Sequence, residues 1–141
     1  MKIFILGGTG SIGTAVTQNL VRHGHDVTGL SRSDASDRKL AAMGAHPLRG
    51  DLRRPGGWVR EVAHVDGLIQ LAATFGPDMA EADTAAMGAI LRQAALRPDP
   101  LRLIYTGGCW LYGATGNRIA DEVSPMRPIK PFAWMQKNAR A

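Results

Sequence analysis

The chain has 141 residues, 45% hydrophobic and 21% charged, which excludes a disordered or fibrous protein. That length suits one domain, and no run approaches the ~18 consecutive apolar residues of a membrane span. The formal net charge of +5 would suit nucleic acid, but residues 118–141 hold a net +3 of it and no basic helix face is interleaved with aromatics, so neither nucleic acid nor a membrane is expected as a partner.

Ile3-Phe4-Ile5-Leu6 is an unbroken apolar run, the pattern of a strand covered on both faces. Gly7-Gly8-Thr9-Gly10-Ser11-Ile12-Gly13 follows, and then a helix with Ile12, Val16 and Leu20 on one face, ended by Gly24. Asp26 to Leu30 reads as the second strand, and Asp34 to Met43 as a short helix with Leu40 and Met43 inward, ended by Gly44. His46 to Leu52 is a third strand with its exit turn; Trp58, Val59 and Val62 mark a short helix; Asp66 to Ala73 is a fourth strand. The longest helical pattern runs from Asp78 to Arg97, with Met79, Ala86, Ile90 and Ala94 on one face, and Leu101 to Thr106 is a fifth strand. Strands alternating with helices imply right-handed crossovers and a parallel sheet. The expected fold is α/β, a doubly wound, Rossmann-type sheet of about five strands with helices on both faces. Residues 1–113 form this domain, and 114–141 are an irregular Pro-containing segment of the same domain leading to the start of a further helix.

The N-terminal apolar run is too short for a signal peptide. The single cysteine, Cys109, cannot form an internal disulfide, and a cytoplasmic location is expected. Cys109 has no nearby histidine and reads as an inert buried thiol. His23, His25, His46 and His64 fall in different elements without ligand spacing, so no metal site is expected.

The glycine loop carries the chemistry. Gly7-x-x-Gly10-x-x-Gly13 follows a strand and opens a helix within a βαβ unit, the context of a dinucleotide fingerprint. Gly7 permits the tight exit from the strand, Gly10 lets a pyrophosphate approach the backbone, and Gly13 lets helix and strand pack closely. Free N–H groups around Ser11 and Ile12 then meet the phosphates at the positive end of the helix dipole, with Thr9 in the same loop. A site for NAD usually carries an acidic residue at the end of the second strand. Here that end reads Leu30-Ser31-Arg32-Ser33, with no carboxylate before Asp34. Arg32 either pairs with a 2′-phosphate, Ser31 and Ser33 adding hydroxyls, or is a solvated loop cation; NADP(H) is favoured over NAD(H).

With the glycine loop, Gly50-Asp51-Leu52, Leu71-Ala72-Ala73 and Tyr105-Thr106-Gly107-Gly108-Cys109-Trp110-Leu111-Tyr112-Gly113 in order, the chain resembles the extended and atypical short-chain dehydrogenase/reductase family. It looks most like the NAD-dependent epimerase/dehydratases, over about residues 1–135. The resemblance implies that Asp51 and Leu52 border the adenine, Asp51 accepting from its amino group, and that Leu71, Ala72 and Ala73 line the cofactor. Asp51 is alternatively a turn residue, and Leu71 to Ala73 alternatively plain core strand.

The family's Tyr-x-x-x-Lys acid/base pair has no counterpart. Tyr105 is followed four residues on by Cys109 and Tyr112 by Gly116, while Lys137 has Ala133 four residues before it. Thr106 is the nearest hydroxyl to the family's serine position and either bonds a substrate oxygen or simply ends the strand. Family members commonly continue past this point, so the chain reads as a truncated piece, a shortened reading frame or a natural mini-domain. The expected function is the NADP(H)-binding domain of an oxidoreductase or epimerase/dehydratase acting on a small carbonyl or hydroxyl compound. A non-catalytic NADP(H)-binding sensor module and an inactive truncated fragment are the alternatives. A homodimer pairing exposed sheet edges is a further possibility.

Overall fold

Four apolar residues in a row place β1 (Lys2–Leu6) at the centre of a sheet, where Ile3, Phe4, Ile5 and Leu6 are all buried. The structure, a computed structural model, describes residues 1–140. It divides into two compact units, Met1–Ile104 and the stretch from Tyr105 onward. The sheet also contains β2 (Asp26–Ser31), β3 (His46–Arg49), β4 (Gly67–Gln70) and β5 (Arg102–Tyr105), in the order β3-β2-β1-β4-β5. Its registered pairs are parallel: Ile3 faces Val27 on one side and Gly67 on the other, and Ser31 faces Arg49. Three helices connect the strands: α1 (Ser11–Arg22), α2 (Asp34–Ala42) and α3 (Met79–Ala94). The expected doubly wound parallel fold is therefore present.

One hydrophobic cluster, of Ile5, Val27, Leu40 and Ala45 with Val16, Leu20, Val21, Met43, Ile69 and Leu71 against it, glues α1 and α2 to the sheet. Its closeness depends on small residues. A Cβ at Gly29 of β2 would lie 2.5 Å from Leu40 Cδ2, so the missing side chain is the seat of that leucine. The helices end ahead of Gly24 and Gly44 as expected, and His23 ties off α1 with Nδ1 2.8 Å from the Asn19 carbonyl.

Several boundaries differ from the sequence expectation. The residues around Trp58 form a 3-10 turn, Val59–Ala63, with Trp58 buried just before it and tilted against Phe4 at 5.9 Å between centroids. β3 stops at Arg49, and α3 is shorter than its pattern at both ends. β4 stops at Gln70 rather than Ala73, because the Gln70 side chain takes over the pairing. Its Oε1 accepts from Ala72 N–H at 2.9 Å and its Nε2 donates to the Ala72 carbonyl at 3.2 Å. Ile12 is exposed, and the inward residues of α1 are instead Gly13 and Thr17, with Val16, Leu20 and Val21 packed on the cluster.

The second unit contains a 3-10 turn (Cys109–Leu111), another (Lys130–Phe132) and α4 (Met135–Ala139). Trp110 stacks on Phe132 at 4.5 Å and donates to Met135 Sδ at 3.0 Å. The segment between the turns is irregular, and the helix expected near the C-terminus is α4; residue 141 lies outside the described residues. Cys109 is exposed, contrary to the expected buried thiol, because Leu111 takes the inward position of its turn. Among the described residues no helix is long and apolar enough to cross a membrane.

Candidate functional site

The strand order creates the site. From β1 the chain winds outward through β2 and β3, then returns to the other side of β1 for β4. The strand order thus reverses between the neighbours β1 and β4, and such a switch point is where doubly wound sheets form a crevice for ligands. A cavity of about 330 Å³ lies there. Its floor is Gly7, Thr9, Gly10, Ser11, Ile12 and Gly13; one wall has Leu30, Arg32, Ser36 and Leu52, and the other runs from Leu71 to Phe75.

Each loop glycine has its own reason. Gly7 takes φ +82°, a conformation side chains rarely adopt, and a Cβ there would lie 2.7 Å from Ala72 N, so β1 and β4 exits touch backbone to backbone. A Cβ at Gly13 would lie 2.0 Å from the Gly7 carbonyl oxygen, so α1 starts directly over the loop. Gly10 differs, since its Cβ would meet only Gly7 O, at 3.3 Å, and otherwise open space. Thr17, wholly buried, locks helix to loop by donating from Oγ1 to the Gly8 carbonyl at 3.2 Å.

The N-terminus of α1 is electrostatically open. Gly10 occupies the N-cap with no side-chain cap, and the first turn carries no acidic residue. The N–H groups of the first turn have no partner inside a helix, and Ser11, Ile12 and Gly13 line the cavity. An anion set there would meet these donors and the positive end of the dipole.

Of the expected binding residues, Gly7, Thr9, Gly10, Ser11, Ile12, Gly13, Arg32, Leu52, Leu71, Ala72 and Ala73 all line this cavity. Ser31 does not: it is buried and its hydroxyl donates to the Ser33 carbonyl at 3.1 Å. Ser33 is the N-cap of α2, accepting from Ser36 N–H at 3.3 Å. Asp51 is not among the lining residues, and its Oδ1 accepts from Arg53 N–H at 3.0 Å in a turn. Thr106 follows β5 in the second unit, where it is exposed. Sequence reasoning missed Leu30, Ser36, Thr74 and Phe75 as lining residues. Leu30 and Ser36 flank Arg32 closely enough to have been found. Thr74, buried with its hydroxyl lacking a hydrogen-bond partner, and Phe75, 88% exposed, carry no periodic signal.

Two polar contacts hold the walls. Gln70 Nε2, besides clamping Ala72, donates to Asp83 Oδ1 at 2.8 Å, both residues being buried. Gln70→Leu removes that charge-assisted bond and frees the cleft wall. It is expected to lower stability by about 2–4 kcal/mol, read as a denaturant midpoint shift at unchanged slope; a midpoint equal to wild type would dismiss the clamp.

The second contact is the Arg53–Asp78 pair, between the loop carrying Leu52 and the start of α3. Arg53 Nε donates to Asp78 Oδ2, and Nη2 lies 3.2 Å from Oδ1. The hydrogen bond from Arg53 holds the Asp78 carboxyl below its ordinary range, and the same bond raises the guanidinium. A lowered carboxyl pKa gives stability that is present above the unfolded-chain value, about 3.9, and lost as pH falls through the folded one. The Tm difference between wild type and Asp78→Asn should therefore be constant near neutrality and shrink only in the acid range. A difference that stays constant to the lowest workable pH would remove the pair from the account.

Among the described residues no cluster of three or more His, Cys, Asp or Glu could hold a metal.

Comparison with known proteins adds the following. The model of a family described as "NAD dependent epimerase/dehydratase family" matches residues 3–139. An uncharacterized protein of Saccharomyces cerevisiae is 33% identical over 128 residues, covering 86% of this chain and 42% of that protein. The sterol-4-alpha-carboxylate 3-dehydrogenase (decarboxylating) of Dictyostelium discoideum is 25% identical over 147 residues, 97% of this chain and 44% of the enzyme. The structure of UDP-glucose 4-epimerase from Bifidobacterium longum in complex with NAD+ and UDP has a TM-score of 0.77 at 19% identity, covering 99% of this chain and 48% of that one. The chain thus spans less than half the length of these curated relatives.

Proposed function

The chain belongs to the NAD dependent epimerase/dehydratase family, and from that premise we propose that it is the NADP(H)-binding part of a short-chain dehydrogenase/reductase-like enzyme. The enzyme would be an oxidoreductase or epimerase/dehydratase acting on a small carbonyl or hydroxyl compound. The observation that carries the proposal is the cleft at the sheet's switch point, floored by glycine backbone and the uncapped start of α1.

The residues present fit a nicotinamide dinucleotide. The open space over Gly10 is room for a pyrophosphate against bare backbone, and the cavity falls within the ~300–1,000 Å³ range of small-molecule sites. Ser11, Ile12 and Gly13 would receive the pyrophosphate, Leu30 and Leu52 the adenine, and Leu71, Ala72 and Ala73 the nicotinamide half. Held there, the nicotinamide would supply hydride transfer to or from a carbonyl or carbinol carbon. The small alanines leave room along that wall, and the Gln70 clamp fixes it. Asp51, in the turn beside Leu52, is the proposed acceptor for the adenine amino group, although it does not itself line the cavity. The single cysteine suits a reducing compartment, and the cytoplasm is the proposed location.

The choice of NADP(H) rests on the end of β2. The Bifidobacterium longum structure holds NAD+, but here Arg32 stands on the cleft wall where an NAD site usually has a carboxylate. Thermal melting with each dinucleotide tests the proposal. At a hundred times its Kd a ligand adds about 2.7 kcal/mol of stability, a rise of roughly 8 °C in Tm at this size. NADPH should produce that rise at lower concentration than NADH. If neither raises Tm, the proposal is wrong.

A further inference from the structure

The cleft wall that holds Leu30 and Leu52 is braced by a residue outside its lining, Trp58. Trp58 is almost wholly buried, its ring tilted against Phe4 of the central strand. Its Nε1–H donates to the Asp51 carbonyl at 2.8 Å, and the Arg54 N–H donates to the same oxygen at 3.0 Å. A carbonyl has two lone pairs, so this one is fully used. Gly50 explains the close approach: a Cβ there would lie 2.5 Å from Trp58 Cδ1 and 2.8 Å from Leu30 Cδ1, so indole and leucine share the space that the glycine leaves. Between the turn and Trp58 the chain has little of its own to hold it. A Cβ at Gly56 or Gly57 would meet nothing within 4 Å, and glycine has the most backbone freedom to lose. The indole bond closes that loop onto the turn from the buried side, while the Arg53–Asp78 pair ties it from the surface.

We propose that Trp58 is a positioning residue of the cleft: its indole N–H sets the turn that presents Asp51 and Leu52, and its ring backs Leu30, so the adenine wall is shaped before a ligand arrives. This rests on the reading that the cleft holds a nicotinamide dinucleotide. The gain is entropic, because a loop already fixed in its bound form spares binding the cost of ordering it. An apolar side chain at position 58 would fill the same core but leave the Asp51 carbonyl to Arg54 alone. Indole combines the two tasks, a large apolar body and a single donor. Trp58 would act on the adenosine half alone, since the opposite wall from Leu71 to Ala73 is held separately by Gln70.

The test divides the dinucleotide into its halves, 5′-ADP and reduced nicotinamide mononucleotide, each titrated by calorimetry into the full chain. Trp58→Phe keeps a ring in the core but has no N–H for the Asp51 carbonyl. It should weaken 5′-ADP about tenfold, the scale of one hydrogen bond, and leave the mononucleotide within about twofold. An equal loss for both halves would reduce Trp58 to a core residue and overturn the proposal, as would a lowered Tm with 5′-ADP binding untouched. A second readout needs no change at Trp58. The chain has three tryptophans, so the Trp58 indole N–H resonance is identified by elimination with Trp110→Phe and Trp134→Phe. In wild type it should shift on saturation with 5′-ADP and stay in place with the mononucleotide. A resonance unmoved by bound 5′-ADP would overturn the proposal even if Trp58→Phe does not fold. A wild-type chain that binds neither half, nor NADPH or NADH, fails at an earlier step, the cleft reading itself, and is recognised by that pattern.

Discussion

Gly13→Ala is expected to cost at least about 4 kcal/mol, the range in which a single substitution signals a specific structural fault. The added methyl would sit 2.0 Å from the Gly7 carbonyl oxygen, 2.8 Å from its carbon and 2.9 Å from Gly8 Cα. All three atoms are backbone, so no rotamer change relieves the clash. Either α1 lifts from the loop, breaking the Thr17–Gly8 bond and opening the cluster around Leu40, or the loop itself is rebuilt. In melting experiments Tm should fall by roughly 12 °C or more at this chain length, and dinucleotide binding should disappear with it. Gly10→Ala is the control, because its methyl has one neighbour at 3.3 Å and otherwise points into open space. It should leave Tm within about 2 °C, below a 1 kcal/mol effect, and still abolish binding by filling the place of a pyrophosphate. A Gly13→Ala protein that melts like wild type would contradict the close helix–loop contact. A Gly10→Ala protein that binds normally would contradict the placement of the phosphates.

Reversing one charge at the end of β2 should invert the cofactor preference. Arg32→Glu removes a planar, bidentate partner of a phosphate and supplies the carboxylate that NAD sites use for the ribose diol. NADPH affinity should drop about a hundredfold, since loss of a charge-assisted pair and gain of a like-charge contact together reach near 3 kcal/mol. NADH affinity should stay within about threefold or improve. Arg32 is exposed, so the fold has no stake in the change. Equal loss for both dinucleotides, or none for either, would take Arg32 out of the discrimination.

The fold was legible because its signals are local. Ile3 to Leu6 announces a buried strand, the glycines announce the turn into α1, and each later strand is bounded by polar or glycine residues. The cleft floor came with it, since a backbone site needs only the glycine spacing and its strand–helix context. What stayed hidden depends on distant partners. That β4 ends at Gln70 follows from a side-chain amide caught between Ala72 and Asp83, and nothing in the alternation of hydrophobicity encodes that. Ser31 looks like a ligand hydroxyl until the turn that consumes it is seen. The engagement of Asp34 and Asp37 by Arg49 requires the β2–β3 register, across 15 and 12 residues of chain. Ile12 illustrates the opposite error: its spacing fits the inward face of α1, yet it lies 62% exposed on the cleft floor because Gly13 is the residue that meets the loop.

The most direct measurement is a fluorescence titration of the purified chain with NADPH and, separately, with NADH. Saturable one-to-one binding, tighter for NADPH and lost in Gly10→Ala, is the result that a working dinucleotide cleft with a basic β2 end predicts. A chain shown by circular dichroism to be folded that binds neither dinucleotide would contradict it: the glycine loop would then serve only to join β1 to α1.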